Sequence, residues 1–155
     1  MPARRKSRQR ALQVLFLCDA RKLPAEQAIE QYYASLFSGE VEQETGDEPP
    51  GPLSRDPFME SLVRGTIASL EEIDHHISQR AANWRLERMP MVDRNLLRMA
   101  VYEMKDLGTP PAVVIDEALE LARRYSEEDA VPFINGVLDA VRKVVCKTAA
   151  LGAQL

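Results

Sequence analysis

The sequence contains little cysteine and no long apolar segment. Cys18 and Cys146 are its only cysteines, 128 positions apart and in no spacing typical of a metal site. We therefore expect a reduced, cytoplasmic protein without metal or cofactor. No apolar run approaches the roughly 20 residues that a membrane-spanning helix requires.

A secretory signal is also not predicted. The apolar stretch at residues 11–18 is interrupted by Gln13 and followed by Asp19, so it is too short and too polar for a signal core. The bulky Leu17 stands directly before Cys18, where a lipoprotein cleavage site would need a small residue.

Sequence motifs of catalysis are missing as well. The chain has no glycine-rich phosphate loop after a strand, no G-x-S-x-G, no H-E-x-x-H and no C-x-x-C. His75 and His76 are adjacent, and adjacent side chains on a helix point about 100° apart. They cannot clamp one ion, which needs a spacing of three or four residues. The sequence therefore shows no catalytic constellation.

Strand signals are almost absent, whereas apolar residues recur at helical spacing in most segments. We therefore predict one all-α domain over residues 1–155, with about seven helices and a core large enough to fold unaided. The predicted helices cover residues 5–20, 24–37, two helices within 56–84 that meet near residue 71, 92–108, 111–125 and 131–146.

Two places depart from this helical pattern. Residues 39–57 contain three glycines, four prolines and many acids, which predicts a mobile acidic loop of open function. Gly136 lies inside the last predicted helix, where glycine costs about 1 kcal/mol relative to alanine. Either close helix packing or the approach of a ligand backbone would offset this cost, and we expect packing.

Positive charge is concentrated at one end of the chain. The first ten residues contain five of the 20 basic residues and no acid, so the remainder has 15 basic and 24 acidic residues, a formal charge of −9. This asymmetry favours one end that faces a polyanion. The alternative is a solvated, disordered run of charge.

Three segments resemble a known family. They are ARRKSRQRALQVLF, NWRLERMPMVDRNLLRMAVYEM and AVVIDEALELARRYSEEDAVPFINGVLD, of which the last is the most specific. Together they resemble the family of the transcription antitermination factor NusB. The resemblance implies an all-helical fold of two packed three-helix subbundles and no enzyme activity. It also implies binding of the single-stranded boxA element of nascent ribosomal RNA, jointly with the small ribosomal protein NusE, within the RNA polymerase antitermination complex.

The resemblance places RNA contacts on the first helix. The residues that match the family's RNA and partner positions there are Arg4, Arg5, Lys6, Arg8, Gln13 and Phe16. Arginine suits this role because its guanidinium group forms bidentate bonds to phosphate and offers a plane for bases. Phe16 stands where tyrosine is common, which keeps a stacking face and removes a hydroxyl.

A second implied RNA contact region supplies Asp129 and Phe133. Phe133 is either a base-stacking platform or a core residue. Asp129 is also a candidate N-cap, since Pro132 fits only the first turn of the helix that follows. Val131 and Pro132 depart from the family, where polar or basic residues are usual, so one phosphate contact is in doubt.

For the protein partner, Glu87 and Asp93 match acidic positions on the family's NusE-facing surface. An acidic patch would suit a basic ribosomal protein. Two other functions stay open: a module related to the RNA-binding appendage of ribosomal RNA cytosine methyltransferases, and a helical interaction module that binds no RNA. The sequence is also compatible with either a monomer or a homodimer and does not specify the preferred RNA bases.

Overall fold

The chain is mostly helical in the regions that the structure, a computed structural model, describes: residues 2–38, 55–81 and 83–153. These regions contain no strand, which confirms the predicted all-α class with about seven helices. The α-helices are α1 Pro2–Arg21, α2 Ala25–Ser38, α3 Pro57–Ala68, α4 Leu70–Arg80, α5 Met91–Lys105, α6 Pro111–Tyr125 and α7 Ala130–Ala153, with a 3-10 helix at Leu86–Arg88. Residues 39–54, most of the predicted acidic loop, lie outside the described regions.

The chain divides into two compact units, Met1–Arg64 and Gly65–Leu155. Unit 1 contains α1, α2 and most of α3, and unit 2 contains the other helices. None of the helices in the described regions is long and apolar enough to cross a membrane. That the whole chain acts as one domain stays a prediction.

In unit 1, α1 packs against α2 through buried apolar side chains. Leu15 of α1 and Ile29 of α2 are fully or almost fully buried, as are Met59 and Leu62 of α3. Each such side chain contributes roughly 1.5–3 kcal/mol relative to its exposed state. Cys18 lies on the same buried face, and this burial raises the pKa of its thiol.

The beginning of α3 is fixed by two adjacent residues. Asp56 occupies the N-cap position, and its Oδ1 accepts the backbone N–H of Met59 at 3.0 Å. Pro57 follows as the first helical residue, where its missing N–H has no intrahelical partner to lose. The predicted loop therefore ends before Pro57, because this Asp-Pro pair starts a helix.

Unit 2 is arranged around α5, which packs against α4, α6 and α7. Most apolar residues of α5 are buried, and Leu97 and Val101 are wholly inaccessible, whereas Leu107 beyond the helix is exposed. Arg98 on α5 donates two parallel hydrogen bonds to the Asp74 carboxylate on α4, at 2.8 and 3.0 Å. This fork holds α4 in a defined position on α5.

Two glycines of unit 2 have opposite surroundings. A Cβ atom on Gly65 would lie 1.9 Å from the Tyr102 ring, so close packing explains that glycine. A Cβ atom on Gly136 would meet nothing within 4 Å in the part of the chain that the structure describes, and the residue is exposed. Our expectation that helix packing explains Gly136 is therefore wrong, and the approach of a ligand is the alternative that remains.

Candidate nucleic-acid interface

The basic residues at the start of α1 divide between two faces of the helix. Arg4 and Arg8 lie on the side of Phe58, with guanidinium carbons 4.7 and 5.6 Å from its ring centroid. These distances suit cation–π interaction. Arg4 remains exposed, but Arg8 is only 4% exposed. The structure thus corrects the expectation that Arg8 is a surface phosphate ligand, because its side chain is packed inside unit 1.

Arg10 is also engaged within unit 1. Its Nη1 donates to the Asp56 carboxylate at 2.9 Å, and the Ser7 hydroxyl lies 2.9 and 2.8 Å from the two oxygens of that carboxylate. The Asp56 side chain is 11% exposed, so the ion pair is partly shielded from water. Arg10 and Ser7 therefore tie α1 to the beginning of α3.

A second face of α1 is open to solvent. Arg5, Gln13 and Phe16 are exposed, and their spacing at 100° per residue places them on one stripe along the helix. Lys6 is half-buried. Of the six predicted contacts on α1, the structure thus brings Arg5, Gln13 and Phe16 together on an accessible surface.

A second group of paired charges in unit 1 is centred on Glu60. Glu60 accepts hydrogen bonds from Arg55 at 3.2 Å, Arg64 at 3.0 Å and the Tyr33 hydroxyl at 3.0 Å. Burial raises the pKa of Glu60, but the bonds from Arg55 and Tyr33 outweigh it and hold the pKa below its usual range. This cluster links α2 to α3 and stabilises the scaffold under α1.

In unit 2, Asp129 is exposed and stands immediately before α7. A turn leads into the helix, with the Ala130 and Val131 amides donating to the carbonyls of Glu127 and Glu128. Pro132 lies in the first helical turn, as predicted. Asp129 therefore stands directly before α7 and is exposed to solvent, and its role as N-cap stays a prediction.

Phe133 is half-buried and contacts an aromatic residue that sequence reasoning did not select. Its ring centroid lies 5.7 Å from that of Trp84, with the rings inclined at 60°. Trp84 is 60% exposed. The sequence offers only a weak indication of a role for Trp84, which is the only tryptophan in the chain and lies beside a basic segment.

Trp84 also lines a surface cleft of about 450 Å³ between the end of α4 and the 3-10 helix. The lining residues are Ser78, Ala81, Trp84, Arg85, Leu86, Glu87 and Arg88. Arg94 on α5 supports this segment by donating to the carbonyls of Leu86 and Glu87, at 3.3 and 3.4 Å. The cleft therefore combines an indole, two guanidinium groups and one carboxylate.

The two predicted partner-binding acids have different surroundings. Glu87 is exposed, but Asp93 is only 6% exposed and accepts a hydrogen bond of 2.5 Å from the Ser126 hydroxyl. That bond joins the first turn of α5 to the end of α6. The expectation that both acids form one surface patch is corrected, because Asp93 is directed into unit 2.

Comparison with known proteins agrees with this architecture. Residues 5–143 match the model of the NusB family. The chain is 55% identical over 155 residues to the transcription antitermination protein NusB of Solibacter usitatus, an alignment that covers 100% of this chain and 99% of the relative.

Solved structures give the same result. NusB of T. maritima is 34% identical with a TM-score of 0.72, and the alignment covers 91% of each chain. A chain from a crystal structure of antitermination factors NusB and NusE in complex with dsRNA is 27% identical with a TM-score of 0.72, over 92% of this chain and 98% of that one. By family match, full-length relative and fold, this chain belongs to the NusB family.

Proposed function

We propose that this protein is a cytoplasmic, non-enzymatic antitermination factor that binds the boxA element of nascent ribosomal RNA together with NusE. The observation that carries this proposal is the full-length relative, which is named as a transcription antitermination protein. The related complex of NusB and NusE with dsRNA supports RNA and NusE as the partners. Bound to both, the protein would help to bring NusE to RNA polymerase.

The RNA contact on unit 1 is the exposed part of α1. Arg4 and Arg5 supply guanidinium groups that can bind phosphate oxygens, and Lys6 adds a third positive charge. Gln13 and Phe16 continue the exposed stripe with a hydrogen-bonding amide and an aromatic ring. Unpaired RNA is the fitting ligand, since its bases are free to stack on side chains.

The NusE contact is centred on Glu87 rather than on an acidic pair. Glu87 is exposed on the 3-10 helix, whose carbonyls Arg94 holds in place. An exposed acid steers a basic partner and mainly accelerates its association. We expect Glu87→Lys to slow NusE association at low salt, while reversal of Asp93 would disturb folding through Ser126.

A titration with labelled boxA-like RNA, with and without NusE, tests this function. The expected result is saturable binding that NusE tightens, with weaker binding of a scrambled strand of equal length. A duplex of the same sequence provides a further arm, and we expect it to compete less well than the single strand. Equal affinity for boxA-like and scrambled RNA, with NusE present, would contradict the proposed specificity.

A further inference from the structure

Trp84 is the most exposed large apolar side chain among the described residues. Tryptophan is highly buried on average in folded proteins, so an exposure of 60% is unusual. The inclined Phe133 ring contacts the indole without stacking on it face to face. The structure therefore keeps an aromatic surface open to solvent while supporting it from one side.

Positive charge surrounds this aromatic surface. Arg85 and Arg88 are exposed and line the same cleft as Trp84. Within the described regions neither guanidinium group forms an ion pair, in contrast to Arg10 in unit 1. Exposed rings beside positive charge are the combination with which proteins bind single-stranded nucleic acid.

The surface of α7 near Phe133 is also open. Gly136 lies three residues after Phe133, so the two positions share a face of α7. A Cβ atom there would meet none of the described residues within 4 Å, although glycine is unfavourable inside a helix. A glycine that packing does not require is suited to a surface that a ligand backbone approaches closely.

We propose that Trp84 and Phe133 form a stacking site for one unpaired base of a bound RNA strand, with Arg85 and Arg88 beside it for the adjoining phosphates. Since its ligand is RNA, this site rests on the function proposed above. The base lies against the open face of the indole, and the strand passes over α7 at Gly136. The same surface could instead receive a protein, and the experiment separates these two occupants.

Trp84 is the only tryptophan, so its fluorescence reports on this site directly. We would titrate the protein with boxA-like single-stranded RNA, following both tryptophan emission and the anisotropy of a label on the RNA. An abasic strand of equal length provides phosphates without bases. Base stacking predicts that RNA changes the emission with the same midpoint as the anisotropy, and that the abasic strand does not.

Two substitutions at Trp84 distinguish base stacking from a general effect of apolar side-chain volume. Trp84→Leu keeps an apolar side chain and removes the ring, so RNA affinity should fall roughly tenfold, within the range measured for loss of one stacked base. Trp84→Phe keeps a ring and should stay within about threefold of the wild type. Val113→Ala, which trims another exposed apolar side chain of unit 2, should leave RNA affinity unchanged.

Each remaining outcome overturns the stacking site. If RNA binds the wild type and Trp84→Leu equally and leaves the emission unchanged, the site is wrong but the proposed function stands. If Trp84→Leu instead loses NusE capture in the absence of RNA, the occupant is the protein. If no RNA binds the wild type even with NusE, the proposed function fails and the site fails with it.

Discussion

The start of α1 and the surface around Trp84 differ in how far their functional groups are engaged inside the protein. The start of α1 has the highest density of positive charge in the sequence, yet Arg8 is buried against Phe58 and Arg10 is bonded to Asp56. Around Trp84 the positive charge is lower, but Arg85 and Arg88 are exposed beside an open ring.

This difference shows that the basic residues at the start of α1 have two roles, one structural and one at the surface. Part of the basic cluster fixes α1 to the beginning of α3 through Asp56, and part remains available on the surface. A count of basic residues therefore overestimates the charge that RNA can reach. The surface around Trp84 has fewer charged side chains, but fewer of them are bonded to other protein groups.

The largest effect that we expect concerns Asp56, the carboxylate to which Arg10 of the basic cluster is bonded. Asp56→Ala removes the cap of α3 and leaves the partly buried Arg10 without its partner, which should lower the free energy of unfolding by about 3 kcal/mol. Asp56→Asn keeps a capping oxygen and should lose about half as much. Urea denaturation followed by circular dichroism measures both. A loss below about 1 kcal/mol for Asp56→Ala would mean that Arg10 is not engaged as we describe.

A smaller effect concerns the open surface of α7. Gly136→Ala should raise the free energy of unfolding by about 1 kcal/mol, because alanine is the better helix former and space is available. The same change should weaken RNA binding if a strand passes close to α7. Gly108→Ala is the matched control and should be destabilising, since Gly108 has a φ of +68°. Unchanged RNA affinity for Gly136→Ala would show that the RNA strand does not pass close to α7.

The smallest expected change in stability concerns Asp129. Asp129→Asn changes only the charge of an exposed side chain, and asparagine would also serve as an N-cap, so the free energy of unfolding should stay within about 0.5 kcal/mol of the wild type. Removing a negative charge beside the RNA should tighten binding, more at low salt than at high salt. Asp116→Asn makes the same change in charge at an exposed position of α6 and should have no such effect. Weaker or equal RNA binding by Asp129→Asn would show that Asp129 does not repel RNA.

Apolar periodicity predicted the helices well because it reflects burial directly. The broad face of α5 and the junction between α3 and α4 near residue 69 both follow from this spacing. Side-chain engagement was less predictable, because it depends on residues distant in sequence. The burial of Arg8 depends on its contact with Phe58, and the burial of Asp93 depends on its hydrogen bond with Ser126.

The exposure of Trp84 was hidden for a related reason. A lone aromatic residue after a helix is compatible with a buried or an open position, and only its packing decides between them. Gly136 posed the same difficulty, since the sequence cannot show whether another helix crosses it. In both cases the structure supplies the local surroundings that periodicity does not contain.

The salt dependence of RNA affinity tests the central claim, that the exposed part of α1 binds the RNA backbone. Phosphate contacts from Arg4, Arg5 and Lys6 should contribute about −2 to the slope of log affinity against log salt, at roughly 0.7 per contact. The double variant Arg4→Ala/Arg5→Ala should make the measured slope shallower by about 1.4. Arg123→Ala/Arg124→Ala removes an equal charge from two exposed neighbours on α6 and should leave the slope unchanged. Equal slopes for the wild type and Arg4→Ala/Arg5→Ala would contradict the claim and leave the basic end of α1 as a solvated surface.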